Sequence, residues 1–135
     1  MHLLCKNLNL RARATMVNAE VKQGQNVLIT GAGGGVALVA VQLCVAAGAN
    51  VYVSSGNEDK IQKAVALGAK GGVNYKNKDW PVQLGKLLVQ HSGKGTQLDA
   101  VIDSGGGDLM SQIGKVLKAG GKVVVYGMYV TFILP

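Results

Sequence analysis

The residues best suited to chemistry are the glycines within Asn26-Val27-Leu28-Ile29-Thr30-Gly31-Ala32-Gly33-Gly34-Gly35-Val36-Ala37. Strand-forming residues run straight into a glycine cluster, and the small apolar pattern of a helix follows at once. A strand, a tight turn and a helix N-terminus together make an anion site. The first helical turn leaves backbone N–H groups unpaired, and aligned peptide dipoles add partial positive charge there. Glycines let a pyrophosphate approach the backbone where a Cβ would block it. The spacing departs from the dinucleotide fingerprint G-x-G-x-x-G/A. Ala32-x-Gly34-x-x-Ala37 has alanine in the first place, and the register starting at Gly31 ends on Val36. Gly31 to Gly35 can still supply the tight turn and the close approach, with Ala37 the small residue where helix meets strand. A glycine-rich turn without a ligand is the alternative reading of the same residues.

Other residue types offer less. His2, Cys5, Cys44 and His91 lack the convergent spacing that a metal needs, so no zinc is expected. Cys44, beside Leu43 on an apolar helical stretch, reads as core. His91 falls at a helix end, where it faces terminal carbonyls. Asp103 beside Ser104 invites acid–base work, but no base-orienting partner accompanies the pair. A turn-stabilising aspartate is the stronger reading.

The elements that must position these residues follow from periodicity. Residues 14–21 read as a short helix, Val27–Thr30 as the first strand, and Gly34–Ala47 as a helix with Val36, Ala40, Leu43 and Ala47 at helical spacing. Gly48 suits the left-handed residue that ends such a helix. Asn50–Ser54 is the second strand. Asn57 or Ser55 can cap the next helix, which turns Ile61, Ala64 and Val65 inward and ends near Gly68. Val73-Asn74-Tyr75 is a short third strand. Asp79 then caps a helix with Pro81 in its first turn and Leu84, Leu87 and Leu88 among its apolar positions. Leu98–Ile102 is the fourth strand, Leu109–Leu117 a helix and Lys122–Tyr126 the fifth strand. This alternation predicts an α/β fold, a Rossmann-type doubly wound parallel sheet in a single domain.

Composition excludes several functions. The chain has 135 residues, 48% apolar and 16% charged, which is enough for one domain with a real core. Aromatic residues are only 4%, so that core is built from Val, Leu, Ile and Ala. The net charge is +7, but Lys60, Lys63, Lys76, Lys78, Lys115, Lys118 and Lys122 are scattered and no aromatics interleave with them. No nucleic acid is expected as a partner. No apolar run of about 18 residues is present, so no membrane association is expected. The N-terminus lacks the apolar core of a signal peptide, and the two cysteines lie far apart. Both features fit a cytoplasmic protein with reduced thiols.

From about Ala14 to Met128 the chain resembles the nucleotide-binding domain of medium-chain dehydrogenases/reductases. The quinone oxidoreductase-like branch and the fungal zinc-type alcohol dehydrogenase-like proteins are the most similar groups. The resemblance rests on the glycine stretch, Ala40-Val41-Gln42-Leu43, Ala66-Leu67-Gly68-Ala69, Val73-Asn74-Tyr75-Lys76, Leu98–Asp103 and Leu117-Lys118-Ala119-Gly120-Gly121-Lys122. It implies an NAD(P)-binding Rossmann domain over residues 14–135, with residues 1–13 unassigned. The family's N-terminal catalytic domain has no counterpart in this sequence, which reads as a truncated form. The resemblance also implies a homodimer formed through the sheet edge, to which Val130-Thr131-Phe132-Ile133-Leu134 would contribute a sixth strand.

Cofactor choice turns on the end of the second strand. NAD sites of this type place an acid about 20 residues beyond the glycine turn to hold the ribose hydroxyls. Here that place is Val53-Ser54-Ser55-Gly56, without a carboxylate. Ser54, Ser55 and the ammonium of Lys60 favour a 2′-phosphate, so NADP(H) is expected over NAD(H). Glu58 and Asp59 oppose this if their loop turns inward, and an ordinary turn with a solvated lysine is the plain alternative. By resemblance, Tyr75 contacts the same phosphate and Ser104 lies near the nicotinamide. The expected cofactor-binding set is therefore Gly31, Gly34, Gly35, Val36, Ser54, Ser55, Lys60, Tyr75 and Ser104. The expected function is the NADP(H)-binding part of an oxidoreductase acting on a carbonyl, alcohol or quinone. A non-catalytic dinucleotide-binding or protein-interaction module is the alternative.

Overall fold

The computed structural model describes residues 21–31, 35–103, 112–114, 116–125 and 130–133. Its elements in chain order are β1 (Asn26–Thr30), α1 (Gly35–Ala46), β2 (Asn50–Ser55), α2 (Glu58–Ala66), β3 (Gly71–Asn74), α3 (Trp80–Ser92), β4 (Leu98–Asp103), β5 (Leu117–Val125) and β6 (Val130–Ile133). The strands lie side by side in the order β3-β2-β1-β4-β5-β6. The first five run parallel, and β6 returns antiparallel on β5.

Alternation along the strands sorts side chains into two cores. Val27 and Ile29 of β1, Val51 and Val53 of β2, and Ala100 and Ile102 of β4 pack against α1 and α2. Leu28, Tyr52, Val73 and Val101 face the other way, onto Trp80, Leu84 and Leu88 of α3 and onto Ile113. Helices on both faces make the sheet doubly wound, as expected from the βα alternation. α1 places Ala37, Ala40, Val41 and Cys44 in the core, all fully buried. The buried stripe thus lies one step round from the expected one: Leu43 only packs at its margin and Ala47 is exposed.

Several expectations are corrected. Val65 is 38% exposed, because the inward stripe of α2 is centred on Ile61 and Ala64. β3 begins at Gly71 and ends at Asn74, leaving Tyr75 outside the strand and 56% exposed. A Cβ at Gly72 would come within 2.7 Å of Ile61 Cγ2 and 2.8 Å of Val53 Cγ2. Glycine at position 72 is what lets the strand lie close under α2. Asp79 makes no side-chain cap; its Oδ1 instead accepts from Gln83 Nε2 at 3.1 Å. Leu117 belongs to β5 and not to the preceding helix. Leu117 pairs with Leu98 and Lys122 with Ala100, so the intervening residues of β5 bulge out. There Lys118 Nζ reaches Asp99 Oδ1 at 2.6 Å. The antiparallel β6 departs from an all-parallel sheet, because a short link from the end of β5 cannot make a parallel crossover. Residues 14–20 of the expected short helix, residues 32–34 of the glycine turn, residues 104–111 and Tyr126 lie outside the described residues.

Two buried acids titrate late. Burial pushes the Cys44 thiol up to about 12, and it also raises the Tyr52 phenol. The Ser92 hydroxyl offsets the Tyr52 shift in part but makes no hydrogen bond of good geometry with it. Both folded-state values lie above the unfolded ones. Their contribution to stability is therefore complete below about pH 8 and is lost as pH rises towards the folded values. Urea midpoints should stay level at neutral pH and fall on the alkaline side, more steeply for wild type than for Cys44→Ala or Tyr52→Phe. At neutral pH Tyr52→Phe should be neutral or stabilising, since it removes a buried hydroxyl without a good partner. A clear loss of stability there would show that the hydroxyl is satisfied.

Gly31 closes β1 with φ +68°, in the left-handed region. Gly31→Ala should lower stability by about 1 kcal/mol, read from the urea midpoint. An unchanged midpoint would mean that the turn relaxes to accept a side chain.

Candidate functional site

In an open parallel sheet, ligands bind beyond the carboxyl ends of the strands, where the strand order reverses. Here β1 is that point: the chain leaves it for α1 and β2 on one side and returns through β4 on the other. Thr30 and Asp103 finish β1 and β4, and the Thr30 hydroxyl donates to Asp103 Oδ1 at 2.7 Å. Asp103 is 7% exposed. It ties two strand ends together, a structural role close to the turn-stabilising one expected.

A cleft of about 560 Å³ opens beside this point. Gly31, Ser55, Gly56, Asn57, Lys60, Tyr75 and Lys76 line it. Each arrives for a local reason. Ser55 ends β2 on the face towards α2, and its Oγ accepts from the Asn57 N–H at 3.2 Å. Asn57 caps α2, its Oδ1 accepting from the Asp59 N–H at 2.8 Å. Lys60 follows in the first turn of that helix. Tyr75 and Lys76 come from the turn after β3, where Asn74 Oδ1 accepts from the Lys76 N–H at 3.0 Å.

Four of the expected residues, Gly31, Ser55, Lys60 and Tyr75, are thus gathered round one cleft. Ser54 is buried and points to the opposite face of the sheet, outside the lining. Gly35 and Val36 open α1. Gly34 and Ser104 lie outside the described residues. Gly56 and Lys76 went unassigned from sequence. The block Asn74-Tyr75-Lys76 contained the signal for Lys76, but only the turn shows which way the lysine goes. The described lining carries two ammonium groups and no carboxylate. Glu58 lies outside it and accepts from Asn74 Nδ2 at 3.3 Å.

Other chemistry finds less support. Among the described residues no three His, Cys, Asp or Glu side chains converge to hold a metal. Cys44 is fully buried, and the ring of His91 lies 6.2 Å from that of Tyr52, tilted by 57°. No described helix is long and apolar enough to cross a membrane.

Comparison with known proteins places this arrangement. The family profile described as zinc-binding dehydrogenase matches residues 35–133. A zinc-type alcohol dehydrogenase-like protein, YogA, of Leptosphaeria maculans is 46% identical over 115 residues, covering 84% of this chain and 31% of the relative. A quinone oxidoreductase of Mus musculus is 30% identical over 115 residues, covering 85% of this chain and 34% of the relative. The chain therefore spans about a third of the length of these curated relatives. The crystal structure of an NAD-dependent alcohol dehydrogenase superposes with a TM-score of 0.74 at 33% identity, covering 87% of this chain and 33% of that one. The chain belongs to the zinc-binding dehydrogenase family of medium-chain dehydrogenases/reductases, and its doubly wound sheet is that family's nucleotide-binding fold.

Proposed function

We propose that this chain is the NADP(H)-binding part of an oxidoreductase acting on a carbonyl, alcohol or quinone substrate. The observation that carries the cofactor choice is the described cleft lining at the end of β2, with Lys60 and Lys76 and no carboxylate. A carboxylate there would hold ribose hydroxyls and repel a 2′-phosphate; ammonium groups do the reverse. The glycine cradle supports the fit: Gly31 takes a backbone shape that side chains resist, and α1 begins a few residues later. Gly31, Gly34, Gly35 and Val36 would hold the pyrophosphate by backbone N–H groups. Ser55, Lys60 and Tyr75 would hold the adenosine-side phosphate, and Ser104 would lie near the nicotinamide. When bound, the cofactor supplies hydride transfer; these side chains orient it and set its identity.

NAD(H) is the competing cofactor, because one of the similar structures is titled an NAD-dependent alcohol dehydrogenase. The two are separated by titrating the chain with NADPH and with NADH. NADPH should bind more tightly, and Lys60→Ala should lower the NADPH/NADH affinity ratio about tenfold, less than a fully buried contact would give because the ammonium is exposed. A ratio that does not respond removes Lys60 from the site, and a preference for NADH removes the reading itself.

We also place a homodimer contact at the sheet edge. Among the described residues, β6 pairs with β5 and has no neighbour on its other side. An open edge offers backbone groups to a second copy. Sedimentation should show a dimer that weakens when residues 130–135 are deleted; a monomer at high micromolar concentration would count against it.

A further inference from the structure

Past the end of β3 the chain is bent sharply by Asn74. Its Oδ1 accepts from the Lys76 N–H at 3.0 Å, and its carbonyl accepts from the Asn77 N–H at 3.1 Å. The bend lays Tyr75 and Lys76 across the backbone of Gly56. A Cβ at Gly56 would stand 2.6 Å from the Tyr75 hydroxyl and 3.2 Å from Lys76 Cε. The glycine is what allows both side chains to lie there, and Lys76 shares the cleft with Lys60. Among the described residues neither ammonium is engaged in an ion pair.

The charge requirement of the cleft gives this arrangement a purpose. A phosphate monoester carries roughly −1.5 to −2 at neutral pH. The N-terminus of α2 borders the cleft through Asn57, but it is already answered by that cap and by Glu58 and Asp59 in its first turn. Those two acids also oppose an incoming anion. Lys60 alone leaves such a phosphate under-compensated.

We propose that Lys76 is a second cation for the adenosine 2′-phosphate, and that glycine at position 56 is what admits it. The assignment rests on the NADP(H) reading above. It adds a positive charge from the turn after β3 to the contact already proposed there for Tyr75.

The test compares adenosine 2′,5′-bisphosphate with adenosine 5′-monophosphate, which differ only in the 2′-phosphate, by calorimetric titration of the full chain at low salt. Wild type should prefer the bisphosphate. Lys76→Gln should lower that preference about three- to tenfold while leaving monophosphate affinity unchanged. Gly56→Ala should do the same by displacing Tyr75 and Lys76, and Lys63→Gln, on α2 outside the cleft, should have no effect. If Lys60→Ala lowers the preference but Lys76→Gln and Gly56→Ala do not, the inference fails and the NADP(H) reading stands. An equal loss with Lys63→Gln would reduce Lys76 to a contributor of general field, which also overturns it. A wild type without preference overturns the NADP(H) reading, and this assignment with it.

Discussion

Everything in this fold hangs on the burial of β1 from both faces. All five of its residues are buried, and Val27, Leu28 and Ile29 have no exposed surface. Full burial of such a side chain stabilises by roughly 1.5–3 kcal/mol. Each face of β1 can gain this only if a helical layer covers it, so α1 and α2 on one side and α3 on the other are both required. The strand also has parallel neighbours on both edges, which satisfy its backbone without solvent. Its carboxyl end is consequently a fixed point from which a ligand site can be measured out.

The two ends of the sheet are treated differently. At the amino end, polar groups are tied to one another. The Asn26 N–H donates to Asp99 Oδ2 at 2.7 Å, Asn50 Nδ2 donates to Asn26 Oδ1 at 3.2 Å, and Lys118 closes on Asp99. Strands β1, β2, β4 and β5 are locked there by their side chains. At the carboxyl end, the Thr30–Asp103 bond fixes the centre. The flanks, at the ends of β2 and β3, are left as an open cleft whose lysines make no ion pair among the described residues. Rigidity at one end and polar vacancy beside the other is what a binding site on a parallel sheet requires.

The electrostatics of that cleft come from competition over one helix N-terminus. Asn57, Glu58 and Asp59 stabilise α2 as a cap and first-turn acids should. The same residues spend the dipole that might have received an anion. Positive charge at the site must then come from side chains, and it comes from a helix and from a turn that are separate in sequence.

The βα alternation, the two-sided apolar character of the strands and the glycine turn were legible in the sequence because they are local patterns. Periods of 2 and 3.6 and the backbone freedom of glycine do not depend on what packs against them. Ser55 and Lys60 could likewise be proposed from their positions after the second strand, and Tyr75 from the family resemblance. What local pattern could not decide was contact. Val73-Asn74-Tyr75 reads as the third strand, and only the pairing of Gly71 and Gly72 with Tyr52 and Val53 starts it two residues earlier. Leu117 has a helical neighbourhood, but its pairing with Leu98 and the anchoring of Lys118 on Asp99 draw it into β5. Val65 and Ala64 look equally apolar, and the position of α2 on the sheet alone selects Ala64. The same holds at the site: Ser54 and Ser55 are adjacent in sequence, and the pleat sends one into the sheet's other face and one into the cleft. Sequence determined which elements exist. Tertiary structure decided which faces meet, because burial and charge balance are properties of neighbours brought together from distant parts of the chain.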